Sequence, residues 1–183
     1  MNSYCQSATT IYTPKGSSLT AYNNMPYMSN EDKDYWSDWV STYYPNASEV
    51  GYRSATYNYN CHGYAWHVSE GGSQVWIGLS GYDEDPEDVE DIYWTDGSYT
   101  ETTEPYASKI SYYADNHSAI QTSTQGIYRS KWGYTCLMQH ARDYGPAAYQ
   151  MGYRKYYKLW PEINGTFTAL CYNSERTFGA NMS

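Results

Sequence analysis

The sequence predicts an α+β domain, with helices in its first half and an antiparallel sheet in its second. Apolar residues recur at helical spacing in the early part of the chain. From Lys109 onward the pattern changes to a period of two with tight polar connections. Early helices followed by a run of strands are the order of an α+β fold. The length, 183 residues, fits one such domain with a short appendage.

Residues 1–28 are polar, carry Pro14, Gly16 and Pro26, and read as an irregular lead-in with room for one short strand. Asn30-Glu31-Asp32-Lys33 reads as an N-cap and acidic first turn. Tyr35, Trp36, Trp39, Val40 and Tyr43 follow at helical spacing, and Pro45 stops that helix. A second helix is expected from Cys61 to about Ser69, ended by Glu70-Gly71-Gly72. Gln74–Gly78 is a short apolar run. The acidic stretch Asp83–Asp91 reads as a loop entering a solvated helix. Its carboxylates are also of the type calcium takes, but their spacing is not that of an EF-hand.

Lys109–Ala114, Ser118–Ser123 and Ile127–Trp132 read as three successive strands of a meander, and Tyr153–Leu159 as a fourth. Pro161 ends the pattern. The domain is therefore expected to span residues 1–160. Residues 161–183 form an extension that resembles the opening strands of a small β-sandwich.

Tyr occurs 25 times and Trp 7 times, against 2 Phe, so the core must use aromatics with polar rims. The net charge of −9 speaks against nucleic acid and against an anionic membrane as partners. No run of eighteen apolar residues exists, so no membrane insertion is expected. The start, Met1-Asn2-Ser3-Tyr4, lacks a basic region followed by an apolar core, so a signal peptide is absent from this chain or was removed. Low Lys with abundant Tyr, Ser, Thr and Asn resembles exported bacterial proteins, so a secreted or cell-surface place is expected. Cys5, Cys61, Cys136 and Cys171 show no paired short spacing, which speaks against a zinc ribbon and a dense disulfide framework.

The chemistry centres on Asn60-Cys61-His62-Gly63-Tyr64-Ala65-Trp66. A cysteine opening a helix meets unpaired N–H groups that favour its thiolate. A histidine can complete an ion pair with it. His117, at the start of a strand-like run, is in a fitting context. A lone Cys on a short helix is more often a small buried hydrophobe. The glycine after it, the polar run before it and His117 favour the nucleophile. His62, next in the chain, is expected to point elsewhere on the helix, as surface or groove lining. His67 reads as a helix-end residue. Cys136 and His140 stand at i and i+4 and could share a metal if helical, but no further ligand is evident, so no metal is expected.

Asn60-Cys61-His62-Gly63-Tyr64 and His117-Ser118-Ala119-Ile120 resemble the two motifs of papain-fold cysteine peptidases and amidases of the NlpC and CHAP types. Those families carry an Asp-Cys-Ser-Gly-Phe-like motif at a helix start and a His-Val-Gly-Ile-Tyr-like run at a strand start. The departures are Asn before the cysteine and His after it. A closer resemblance is to uncharacterised secreted proteins of gut bacteria with a Tyr-Asn-Cys-His-Gly/Ser-Tyr-Ala-Trp motif and a later Ser-Lys-Trp-Gly. Both stand here, at Tyr59–Trp66 and Ser130–Gly133.

The resemblance covers roughly residues 50–145. It implies a papain-like fold with N-terminal helices packed on an antiparallel sheet. It implies Cys61 as nucleophile and His117 as its acid–base partner, with a polar residue on the next strand orienting His117. Ser130 and His140 are the candidates. Tyr52 or Tyr59 would help the Cys61 N–H hold an oxyanion. Tyr52, Tyr59, His62 and Trp132 would line the substrate groove, although a Trp is more often core. The expected activity is cofactor-free hydrolysis of an amide bond in a peptide or a peptidoglycan stem. The rival expectation is the same fold with an unused site, binding a peptide or glycan at the surface.

Overall fold

The computed structural model describes residues 6–78, 89–112 and 116–160. Most of the acidic stretch and all of the expected extension 161–183 lie outside these residues. The class is α+β: two antiparallel sheets and a few short helices.

The first sheet is built from the segment expected to be irregular. Strands β1 (Ser7–Tyr12) and β2 (Ser18–Asn23) form a hairpin, and β4 (Trp76–Ile77) pairs with β2. In the β1–β2 hairpin only Ile11, Leu19 and Ala21 are buried. Three inward residues, one of them Ala, leave too faint a period to stand out in the sequence.

Helix α1 (Asn30–Tyr43) is capped by Ser29, whose Oγ accepts the Asp32 N–H at 3.0 Å. The cap is thus one residue earlier than the sequence implied. Val40 is fully buried, and Trp36 and Trp39 are packed beside it against Trp132, Cys136 and Met138. Tyr35 and Tyr43 face solvent instead.

The second sheet has the order β3-β9-β8-β7-β6-β10-β5. Its strands are β3 (Ser48–Glu49), β5 (Tyr99–Thr102), β6 (Lys109–Tyr112), β7 (His117–Gln121), β8 (Ile127–Lys131), β9 (Leu137–Ala141) and β10 (Arg154–Leu159). The meander continues one strand beyond the three expected. Gly133, at φ +57°, permits the tight reversal in which the Trp132 N–H reaches the Cys136 carbonyl at 3.1 Å. That reversal makes β9 from the segment holding Cys136 and His140. Four residues along a strand span about 13 Å, so these two side chains cannot meet at one metal.

Helix α2 (Cys61–Trp66) is shorter than expected and passes into a single tight turn at Val68–Glu70, ended by Gly71 at φ +91°. All six of its residues are buried. Trp66 stacks on Tyr93 of α3 (Ile92–Thr95), with ring centroids 5.5 Å apart, and meets Tyr99 and Tyr157 edge-on. This cluster also contains Ile11, Leu19, Ala21 and Ile77, so α2 shares one core with both sheets. Among the described residues no helix is long and apolar enough to cross a membrane.

Candidate functional site

Asn60 fixes where α2 begins. Its Oδ1 accepts the Gly63 N–H at 2.9 Å, which caps the helix, and the Ile77 N–H at 3.2 Å. Its Nδ2 donates to the Ile77 carbonyl at 2.7 Å. One amide therefore starts α2 and ties it to β4. Gly63 is required by the same close approach: a Cβ there would stand 1.9 Å from the Val75 carbonyl oxygen. The Asn-Cys-His-Gly spacing thus has a packing reason as well as a chemical one.

Cys61 is free and buried, with 6% of its surface exposed. Burial raises its pKa, but the charges of His62 and then His117, with hydrogen bonding from both, outweigh burial and hold the thiol well below its ordinary value. The sequence had assigned that work to the helix terminus and one histidine. The lowering comes from two neighbouring imidazoles, at the start of a helix only six residues long.

His62 is not on the surface. It is 8% exposed, and its Nδ1 lies 2.6 Å from Glu90 Oε1 and 3.0 Å from Ser118 Oγ. Trp66 donates its indole N–H to the same Ser118 oxygen at 2.9 Å. Burial would lower the His62 pKa, but Cys61 and Glu90 raise it well above the usual histidine range. Glu90 is fully buried, and burial pushes its carboxyl up to about 7 against the opposing pull of His62. The expectation that adjacent helical residues diverge fails because β7 and the Glu90 turn draw the imidazole inward.

His117 opens β7 and is fully buried. Its ring stacks on Tyr149 with centroids 3.8 Å apart and planes 8° apart, and Tyr112 lies 5.5 Å away. It acts on Cys61 at close range, yet neither ring nitrogen has a fully aligned hydrogen bond. The two residues expected to orient it do not. Ser130 Oγ and His140 Nε2 are 2.8 Å apart and bond to each other. His140 Nδ1 lies 2.9 Å from the Ala141 carbonyl. Burial lowers the His140 pKa to about 4, with the charge of His117 adding to the shift.

Of the expected groove residues, Trp132 is core: it is 2% exposed, packs on Tyr44 and gives its indole N–H to Ser130 at 3.0 Å. Tyr52 is 81% exposed and covers the Arg53 guanidinium, which Asp34 holds, so it is turned away from the buried cluster. Tyr59 is buried, with the Lys131 ammonium 5.3 Å above its ring, and burial raises its pKa to about 12.

Sequence reasoning passed over Lys131 and Glu90. Lys131 is fully buried and donates to the carbonyls of Thr56, Gly133 and Thr135 at 3.2, 2.8 and 2.6 Å. Burial lowers its pKa to about 7, with Cys136 and Cys61 pulling the other way. It pins the loop before Cys61 to the β8–β9 turn, which explains the lysine of Ser-Lys-Trp-Gly. Glu90 was hidden in the acidic run. Its one signal is that Val89 precedes it and Ile92-Tyr93-Trp94 follow closely, so the run enters the core at its end.

Among the described residues no three His, Cys, Asp or Glu side chains are grouped as a metal site requires. A cavity of about 400 Å³ is lined by Glu104, Gly126, Ala141, Arg142, Asp143 and Tyr144. It includes none of the cluster around Cys61, and its charged lining is engaged in the ion pairs of Arg142 with Glu104 and Asp143.

A family model described as a domain of unknown function, DUF7689, matches residues 51–158. The chain belongs to this family. Comparison with curated proteins and with solved structures returned no match. The DUF7689 span begins in the loop before Cys61 and ends in β10. It contains Cys61, His62, Glu90, His117 and Lys131, and excludes the β1–β2 hairpin and α1.

Proposed function

We propose that this DUF7689 protein is a cysteine hydrolase that cleaves an amide bond, in a peptide or a peptidoglycan stem, outside the bacterial cell. The observation that carries the reading is a buried thiol at a helix start, held toward its thiolate by two imidazoles. The order of a helix-borne cysteine before a strand-borne histidine, with an antiparallel sheet behind them, supports a papain-like architecture.

Cys61 Sγ attacks the carbonyl carbon as a thiolate, forming a C–S bond and an oxyanion. The oxyanion collapses, the C–N bond breaks, and the leaving nitrogen takes a proton from an imidazolium. Water then attacks the thioester, gives a proton to the imidazole and releases the acid, restoring thiolate and imidazolium. His117 suits the transfers because neither ring nitrogen is held by an aligned hydrogen bond to another side chain. The Cys61 N–H is available to the oxyanion, and Tyr59 is the tyrosine ahead of the nucleophile that stays near the cluster.

The test is turnover of fluorogenic peptide amides and of isolated stem peptides by the full chain and by Cys61→Ser. Loss of turnover in a variant that melts like the wild type supports the reading. Undiminished turnover in that variant overturns it.

A second reading, an inactive module of the same fold, draws on a different observation. Cys61 is nearly closed off, while Tyr27, Tyr35, Tyr43 and Tyr52 are each 60% exposed or more. Binding of stem peptides or glycans without turnover, unaffected by Cys61→Ser, would favour it.

A further inference from the structure

The cluster holds two imidazoles for one thiol, and their surroundings differ. His62 is held from behind. Its Nδ1 is hydrogen-bonded with Ser118 Oγ at 3.0 Å and makes an ion-pair contact of 2.6 Å with Glu90 Oε1, short of hydrogen-bond alignment, and Ser118 is itself fixed by the Trp66 indole. With Nδ1 so engaged, Nε2 is the nitrogen left for Cys61. His117 has no such backing. It lies against the flat face of Tyr149, and neither of its nitrogens has an aligned hydrogen bond to a group behind it.

We propose that His62, fixed by Glu90, is the standing counter-ion of the Cys61 thiolate, which leaves His117 as the proton carrier. Glu90 is a positioning residue in this arrangement: it acts on the thiol only through His62. A carboxylate behind an imidazole holds the ring's tautomer and direction and favours its protonated form. Here that carboxylate is fully buried and comes from the turn Val89–Asp91, far along the chain from the motif. The role of proton carrier for His117 rests on the hydrolase reading. The pairing of His62 with the thiolate does not.

Other charged groups face the cluster. Lys131 from β8 acts on Cys61, and the Tyr149 phenol is raised by Cys61 after burial. Tyr59 lies under Lys131, and Tyr64 meets Arg129 of β8. None of them touches Nδ1 of His62, which is reserved for Glu90 and Ser118.

The experiment reads the ionisation of the site without a substrate. The pH dependence of Cys61 alkylation by iodoacetamide is measured by peptide mass spectrometry in wild type, His62→Asn and His117→Asn. The ring titrations of His62 and His117 are followed by NMR with labelled histidine in wild type, Glu90→Gln and Cys61→Ser. His62→Asn is expected to move the alkylation midpoint up by at least about one pH unit, and His117→Asn by less. Glu90→Gln is expected to bring the His62 titration down by a similar amount. By reciprocity, removing the thiolate in Cys61→Ser must lower the His62 titration.

The proposal fails if His117→Asn moves the alkylation midpoint as far as His62→Asn. It also fails if the His62 titration stays in place in both Glu90→Gln and Cys61→Ser. Those NMR arms decide the matter if His62→Asn does not fold. An inactive protein that passes these titrations defeats the hydrolase reading alone. An active one whose His62 ring does not respond defeats this pairing alone.

Discussion

Ser130 Oγ accepts the Trp132 indole N–H and lies 2.8 Å from Nε2 of His140. The Ala141 carbonyl can only accept, so Nδ1–H of His140 donates to it, Nε2 of the neutral ring accepts, and the Ser130 hydroxyl donates to Nε2. A neutral ring with one donor and one acceptor fits a pKa lowered to about 4 by burial. These residues form a closed structural unit that packs between β8 and β9.

Ser130→Ala should accordingly cost stability rather than chemistry. It leaves the Trp132 indole and His140 Nε2 without partners, at about 1–3 kcal/mol for each buried group. Chemical denaturation should register that loss while the Cys61 alkylation rate at pH 6 stays within about twofold of wild type. A drop in turnover as large as that of His117→Ala would instead return Ser130 to an orienting role.

The two described cysteines should differ sharply toward a thiol reagent. Burial, with the charge of Glu49 adding to it, pushes the Cys136 thiol up to about 12. Cys61 is shifted the opposite way. At pH 6 iodoacetamide should therefore modify Cys61 and spare Cys136, as read by peptide mass spectrometry. Equal labelling of both, or of Cys136 first, would contradict the ion-pair description of Cys61.

The start of α2 should tolerate no change. Asn60→Ala removes the helix cap and strips the Ile77 N–H and carbonyl of their partner, an expected loss of about 2–4 kcal/mol. Gly63→Ala drives a methyl group into the Val75 carbonyl and should cost at least as much, since backbone must move. Thermal melts of both variants check this. A Gly63→Ala protein as stable as wild type would mean that α2 and the segment holding Val75, just before β4, can separate freely.

Lys131 gives a stability profile of known sign. Its folded pKa, about 7, lies below its ordinary value of 10.5, so the unfolded chain binds more protons between those limits. Stability from this group is full above pH 10.5 and is lost as pH falls toward 7. Relative to Lys131→Met, wild type should gain up to about 1.4 kcal/mol per pH unit across that window. Parallel denaturation profiles for the two proteins would show that the ammonium stays charged in the folded state.

Helix starts and stops were legible because they are local. Pro45 lies just beyond the end of α1, and Asn60 and Gly63 frame the start of α2, within a few residues of what they control. The three meander strands were legible because β-period and turn residues are local too. The β1–β2 hairpin was not, since its few inward residues give little periodicity. β9 was missed because a Cys and a His four apart invite a helical reading, whereas Gly133 and pairing with β8 make that segment a strand.

The sequence by itself determined the α+β class, the helix that opens at Cys61 and the strand that opens at His117, all set by short-range spacing and capping. Only the tertiary structure decided which imidazole stands where. Packing α2 against β7 and the Val89–Asp91 turn buried His62 beside Glu90 and Ser118, and it set His117 against Tyr149. Pairing of buried polar groups depends on which distant segments the core brings into contact, because once water is excluded their partners come from the protein. Sequence spacing carries no record of that choice.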